Sequence, residues 1–389
     1  MIKYISWADN TGYSVAAKSY LAAFHRANVP VLWVPMLPDA YGYAPDPHFR
    51  PGDPVLAGMM EAEGDHDTVV IHSVPEYYPS AIAEARAAGK RVFGCTVWEL
   101  ERLPDHWPAI LNQLDGVIVP CSWNIEVFRR SGVSVPIHVV PHLSQFGDVP
   151  GQGYTDHDLK WLSADAIEPD RFMFYTIGHW SARKVPKLVL EAFVRAFSAK
   201  DRVSLVVKTS RNDVTRLRRH WRNAFRLRHP SPMFEASRIL KGRGPIPPVH
   251  VVCDESLNEV QMRALHQRGD CYVSLSRTEG WGLGAFDAAL HSNPVIMTGY
   301  GGQWDFLDPE LAHRIDYHLI PVDEPIWRAN YRPTDQWAEP DIDHAARLMR
   351  HVFERQQEAN EKAHLLSQRL RVRFSEAEII AAWKTALTP

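Results

Sequence analysis

Short apolar runs alternate with helical stretches along most of the chain: DTVVIHS, KRVFGCT, DGVIVPCS and IHVVPH, then FMFYTIG, VSLVVK, VHVVCD, CYVSLS and PVIMTG. Ile2–Trp7 opens the series as a first strand. Each run is apolar at successive positions, so both its faces are buried. Helical patterns, such as those over 79–88 and 185–197, separate them. Buried strands joined by helices predict parallel sheets covered on both sides, an α/β architecture built twice.

The alternation lapses between His142 and Pro169, where Gly147, Pro150, Gly151, Gly153 and several aspartates break the period before a new strand begins at Phe172. This predicts a first domain over 1–150 and a second over 165–370. The stretch 342–387 is strongly helical, and a break near 372–375 lets a last helix, 371–389, cross back to the first domain. The length of 389 residues fits two domains, because single cores stop growing at roughly 250–300 residues.

Composition narrows the classes. With 45% hydrophobic and 23% charged residues the chain reads as an ordinary soluble protein, and a net charge of -3 excludes a polycation that binds nucleic acid non-specifically. Cys95, Cys121, Cys253 and Cys271 are far apart and lack C-x-x-C spacing, which suits reduced thiols in a cytosolic protein. No export signal precedes the first strand and no apolar run nears the roughly 18 residues of a membrane span, so the expected setting is cytoplasmic, with any membrane contact peripheral.

One stretch concentrates candidate chemistry. Residues 274–299, SLSRTEGWGLGAFDAALHSNPVIMTG, run from a strand into a Gly-rich turn carrying Glu279 and then into a helix carrying Asp287. In open α/β sheets ligands bind at the carboxyl ends of strands, where helix N-termini offer N–H groups to anions. Gly280, Gly282 and Gly284 permit close backbone approach, and N–H groups from Leu283 to Ala285 suit a phosphate. Glu279 then addresses a sugar hydroxyl or developing positive charge, and Asp287 a ribose diol. A plain strand–helix turn, with Glu279 solvated and Asp287 on the helix surface, is the other reading. The G-x-G-x-G spacing is not the G-x-G-x-x-G fingerprint, so a Rossmann dehydrogenase gains no support.

The segment EGWGLGAFDAALHSNPVIMTGYGGQWDFL resembles the Glu-x7-Glu motif of retaining GT-B glycosyltransferases of the family 4 type. IGHWSARKVPKLVLEAFVRAF is similar to the same family's G…RKG…AF segment. TVWELERLPDHWPAILNQLDGVIVPCSWNIEVFRRSGVSVPIHVVPH and WADNTGYSVAAKSYLAAF resemble its N-terminal domain. Together the blocks cover most of the chain in the family's order.

The resemblance implies two Rossmann-like domains facing a central cleft. It implies that Glu279 acts at the donor sugar and that Asp287 takes the second glutamate's place on the ribose. Arg183 and Lys184 hold the diphosphate, with Lys184 also serving catalysis, and His179 stands where an arginine is usual. Gly12 approaches the diphosphate from the first domain; Gly301 and Gly302 either lie over the donor, their N–H groups toward sugar or phosphate, or form a plain turn. Glu99 positions the acceptor hydroxyl or, in the alternative, caps its turn; His72 points toward the acceptor or is simply hydrogen-bonded at its strand end. Nucleobase contacts fall at 254–257.

The implied activity is retaining, front-face transfer from a UDP- or GDP-sugar to a glycan or lipid-linked acceptor, in surface polysaccharide or glycolipid synthesis. The Asp-x-Asp pairs Asp65 and Asp67, Asp156 and Asp158, and Asp341 and Asp343 each read as turns or caps, so neither metal nor cofactor is expected. A sugar-nucleotide epimerase on the same fold would want further acid/base residues; a silent carbohydrate- or nucleic-acid-binding module would not need the whole constellation. Over 212–229, Val214, Leu217, Trp221 and Phe225 form a stripe beside Arg216, Arg218, Arg219, Arg222 and Arg226. Such a helix fits an anionic membrane surface, or equally a packed stripe with a solvated basic face.

Overall fold

The structure is a computed structural model and describes residues 1–39, 42–147, 153–211, 231–254, 257–324 and 328–388. Every apolar run named above forms a strand. The first sheet has the spatial order β3 (Gly42–Pro45), β2 (Val31–Asp39), β1 (Ile2–Trp7), β4 (Thr68–His72), β5 (Arg91–Cys95), β6 (Gly116–Val119) and β7 (Ile137–Val139). All its pairings are parallel except β2 with β3. The second sheet, wholly parallel, has the order β10 (Val249–Val252), β9 (Val203–Lys208), β8 (Phe172–Ile177), β11 (Cys271–Ser274), β12 (Val295–Thr298) and β13 (His313–Ile315). An antiparallel ribbon of β14 (Tyr317–Pro321) and β15 (Gln336–Pro340) follows.

The uninterrupted apolar runs are explained by burial: every residue of β4, β6, β11 and β12 is buried. The chain divides into two compact units, Met1–Asp148 with Val372–Pro389, and Val149–Arg371. In the first unit the helix Glu376–Leu387 is capped by the Ser375 side chain and sets Trp383 into the core, with ring centroids 6.1 Å from Tyr4, 5.1 Å from Tyr20 and 5.4 Å from Phe24. Arg26 pairs with Glu376, and Arg91 donates to the Leu387 carbonyl at 2.7 Å. The second unit is cored by Phe172, Phe174, Phe193 and Phe197 beside buried Val207, Val273 and Ile296.

Strand order locates the sites. In the first sheet the winding direction reverses between β1 and β4, and in the second between β8 and β11. Chain leaving neighbouring strands at such a reversal turns to opposite faces, which opens a crevice at their carboxyl ends. Gly12 follows β1 and His72 ends β4, while Arg183 and Lys184 follow β8 and Glu279 follows β11. Among the described residues no helix is long and apolar enough to cross a membrane.

Candidate active site

After β8 the chain turns through Ser181–Lys184 into the helix Pro186–Ala196. Val185, 2% exposed, takes φ 40° at the entry, in the left-handed region that a β-branched side chain avoids. The turn is held by Val185 N–H on the Ser181 carbonyl (3.0 Å) and Lys184 N–H on Ser181 Oγ (3.1 Å). Arg277 braces it from the next loop, its N–H on the Arg183 carbonyl and its Nη1 on the Ala182 carbonyl, both at 2.9 Å. The Arg277 guanidinium is itself fixed by Glu339 at 2.6 Å and by the Trp337 ring, 5.0 Å away.

Glu279 lies where these loops meet and is 5% exposed. Its Oε1 accepts from Lys184 Nζ and from Ser276 Oγ (2.7 Å), and its Oε2 from Arg183 Nη1 (3.2 Å). Arg183 Nη1 also donates to the Thr278 carbonyl at 3.0 Å. Burial raises the Glu279 pKa, but the charges of Lys184 and Arg183 and the bonds from Lys184 and Ser276 outweigh it. The carboxyl is therefore held below its ordinary value and is ionised at neutral pH. Two cations on one carboxylate leave the cluster net positive.

The Gly301–Gly302 turn backs this carboxylate. Gly302 N–H donates to the Glu279 carbonyl at 2.7 Å, which fits the plain-turn alternative for that group. Gly301 has φ 116°, and a Cβ there would lie 2.6 Å from the Glu279 carbonyl oxygen and 3.0 Å from its nitrogen. Gly301→Ala is accordingly expected to lower stability by about 2–4 kcal/mol and to displace Glu279. A thermal melt within 1 °C of the parent, roughly, would contradict that placement.

The helix Leu283–Leu290 starts from Gly282. Ala285 and Phe286 N–H both bond the Gly282 carbonyl at 3.0 Å, so the expected phosphate donors narrow to Leu283 and Gly284 at its head. Asp287 is 1% exposed, which rules out the surface-charge reading. It lies close enough to Tyr272 and Tyr175 for its charge to add to the burial that raises both hydroxyl pKa values. Gly280 is buried and His179 exposed just past β8. Of the 254–257 segment, Asp254 stands 3.9 Å from Arg211, while 255–256 and the basic stretch 212–229 lie outside the described residues.

In the first unit Gly12 begins the helix Gly12–Arg26 behind the Thr11 cap. Tyr13 beside it bonds Thr96 Oγ1 (2.9 Å) and the Val97 carbonyl (3.1 Å), tying this turn to the loop of Glu99. Glu99 is half-buried, and the preceding Trp98 carbonyl accepts from buried Asn124 Nδ2 at 2.7 Å. His72 takes the second of its two readings, hydrogen-bonded at its strand end. It is 1% exposed, its Nδ1 2.7 Å from the Tyr4 hydroxyl, among Tyr4, Tyr13 and Tyr20 rings centred 6.0, 5.7 and 5.9 Å away. Burial, then the neighbouring His142, keeps it neutral, and burial pushes His142 down to about 3. In this packing the ring offers no surface to an acceptor.

Ser276, Arg277, Trp337 and Glu339 were not singled out from the sequence. Ser276 and Arg277 carry a local signal, since they directly precede the carboxylate turn; Trp337 and Glu339 lie some sixty residues away and carry none. The Asp-x-Asp pairs behave as caps and ion pairs: Asp158 accepts from Thr155, Asp341 from His344 N–H, and Asp65 from Lys90. Among the described residues no three His, Cys, Asp or Glu side chains gather to hold a metal.

Two parallel sheets with these strand orders make the GT-B fold, the fold of a large class of glycosyltransferases. The structure is similar to that of WaaG, a glycosyltransferase involved in lipopolysaccharide biosynthesis, with a TM-score of 0.62 and 11% identity over 100% of both chains. HepE from Anabaena, solved with UDP and glucose, gives a TM-score of 0.61 and 12% identity over 99% of each chain. Against S. aureus TarM, solved with UDP, the TM-score is 0.57 at 13% identity; 83% of this chain is covered but only 55% of TarM, so the chain spans about half that protein's length. The sequence matches no family model and no curated protein.

Proposed function

We propose that the protein is a retaining, metal-independent glycosyltransferase that moves a sugar from a nucleotide-diphosphate donor to an acceptor hydroxyl in glycan or glycolipid synthesis. The observation that carries this reading is the meeting of Glu279, Arg183 and Lys184 at the carboxyl ends of β8 and β11, the strands that flank the topological reversal.

In this mechanism an incoming diphosphate takes over the two cations. Arg183 can bind it through two N–H groups, Lys184 acts as a point charge, and the N–H groups heading the helix Leu283–Leu290 supply further positive potential. As the bond from the anomeric carbon to the diphosphate oxygen breaks, charge builds on the leaving group where these donors already stand. Glu279, freed from part of its pairing, addresses the sugar. The acceptor oxygen attacks the same face, and its proton passes to the departing phosphate oxygen. The UDP held by HepE and TarM supports a UDP-sugar as the first donor to test. The reading includes a cytoplasmic setting; for 212–229 peripheral membrane contact and a packed stripe with a solvated basic face stay side by side.

Thermal unfolding with a panel of UDP-, GDP- and ADP-sugars, with and without EDTA, tests it. One donor at 100 times its Kd should stabilise the protein by about 2.7 kcal/mol, several degrees, and EDTA should not reverse the shift. No shift with any sugar nucleotide would remove the donor site; loss of the shift in EDTA would remove metal independence.

A further inference from the structure

We propose that the carboxyl edge of the first sheet carries a built platform for an uncharged saccharide, so that the acceptor is a neutral glycan; this rests on the glycosyltransferase reading and names the acceptor class it leaves open.

Four aromatic rings from four elements converge there: Trp7 at the end of β1, Tyr13 in the helix Gly12–Arg26, Tyr43 on β3, and Tyr77 in the short turn after β4. Trp7 and Tyr43 stack with centroids 4.1 Å apart and planes 13° apart. Tyr13 and Tyr77 stand 5.1 and 5.9 Å from Trp7, and Tyr77 stands 5.7 Å from Tyr43. Trp7 is 8% exposed and forms the floor, while the three tyrosines are only half-buried.

The arrangement is fixed rather than incidental. Asp9 accepts from the Tyr43 hydroxyl with one carboxylate oxygen and from Thr11 N–H (2.9 Å) and Thr11 Oγ1 (2.7 Å) with the other. Tyr13 is pinned to Thr96 and Val97. At Gly42 a Cβ would lie 2.6 Å from Tyr77 Oη, so only glycine lets that ring lie against β3. Trp7 Nε1 is buried with no hydrogen-bond partner among the described residues, one of several side-chain groups of that kind.

Charge selects the ligand. Asp9 bonds the Tyr43 hydroxyl and Glu76 directly precedes Tyr77, so two carboxylates stand at the platform. Glu76 is itself bonded by His106 and by Trp107 Nε1, each at 3.0 Å. Lys18, in the helix Gly12–Arg26, donates to the Ala8 and Asp9 carbonyls at 3.4 and 3.1 Å. A pyranose offers an apolar C–H face to an aromatic ring and hydroxyl donors to carboxylates, whereas a phosphate or uronate meets like charge.

Saturation-transfer NMR on the full chain, with methyl hexopyranosides and their 6-phosphates as probes and no donor present, tests this. Ring C–H protons of at least one neutral glycoside should receive saturation, its 6-phosphate should bind more weakly, and Tyr43→Ala and Tyr77→Ala should each weaken binding about 2–10-fold. Tyr43→Phe, which keeps the ring, should stay within about twofold. Absence of binding by every glycoside, tighter binding of the phosphates, or unchanged affinity in both alanine variants overturns the proposal. If UDP binds but no glycoside does, the platform fails alone; if glycosides bind and no sugar nucleotide does, the transferase reading fails instead.

Discussion

Glu279→Gln should bind UDP at least as tightly as the parent protein while transferring sugar at least about 100-fold more slowly. The two effects separate because the proposed mechanism gives the carboxylate two jobs. In the unliganded site it is the counter-ion of Lys184 and Arg183, so a diphosphate must compete with it. The neutral amide removes the competitor and leaves both cations for the phosphate. It also removes a negative charge that offsets positive charge on the departing sugar. Calorimetric titration with UDP, set beside initial rates, reads both effects. Weaker UDP binding together with full turnover would place Glu279 outside the reaction.

Lys184→Ala should weaken nucleoside diphosphate binding about 10–100-fold and cost about 1.5–3 kcal/mol of folding stability at neutral pH. The second effect comes from Glu279, buried and left with Arg183 as its remaining cation. Its pH dependence has a definite sign. The folded-state pKa of Glu279 lies below its unfolded value, so its contribution is complete above the ordinary carboxyl range of about 4–4.5 and is lost as pH falls through the folded value. The gap between parent and Lys184→Ala should therefore shrink below about pH 4. A gap that stays constant from pH 7 to pH 3, roughly, would assign the loss to packing of the lysine stem instead.

The sheets were readable because parallel strands buried on both faces leave continuous apolar runs, as in VVI of β4 and VIM of β12. β2 was not singled out: VLWVPMLPD contains Pro35 and Pro38, which argue against a strand, and it survives beside the short β3. β14 and β15 form a ribbon whose first strand is largely exposed and so leaves no apolar run. At the site, Glu279, Arg183 and Lys184 were visible as a pattern of residue types around Gly-rich turns. What the backbone does with Gly302 was not, because the partner of an N–H depends on tertiary position. His72 left two readings open for the opposite reason. A polar residue ending a buried strand looks like a group aimed at a ligand, yet Tyr4 satisfies it inside the core.

The helix Glu376–Leu387 completes the core around Tyr4, Tyr20 and Phe24, residues made more than 350 positions earlier. During synthesis the amino-terminal part of the first unit therefore emerges with a vacant seat where Trp383 belongs, and it must wait for the whole second unit before it can close. Nascent chains stalled anywhere short of Trp383 would expose that seat to chaperones and proteases, so folding of the first unit depends on synthesis reaching Trp383.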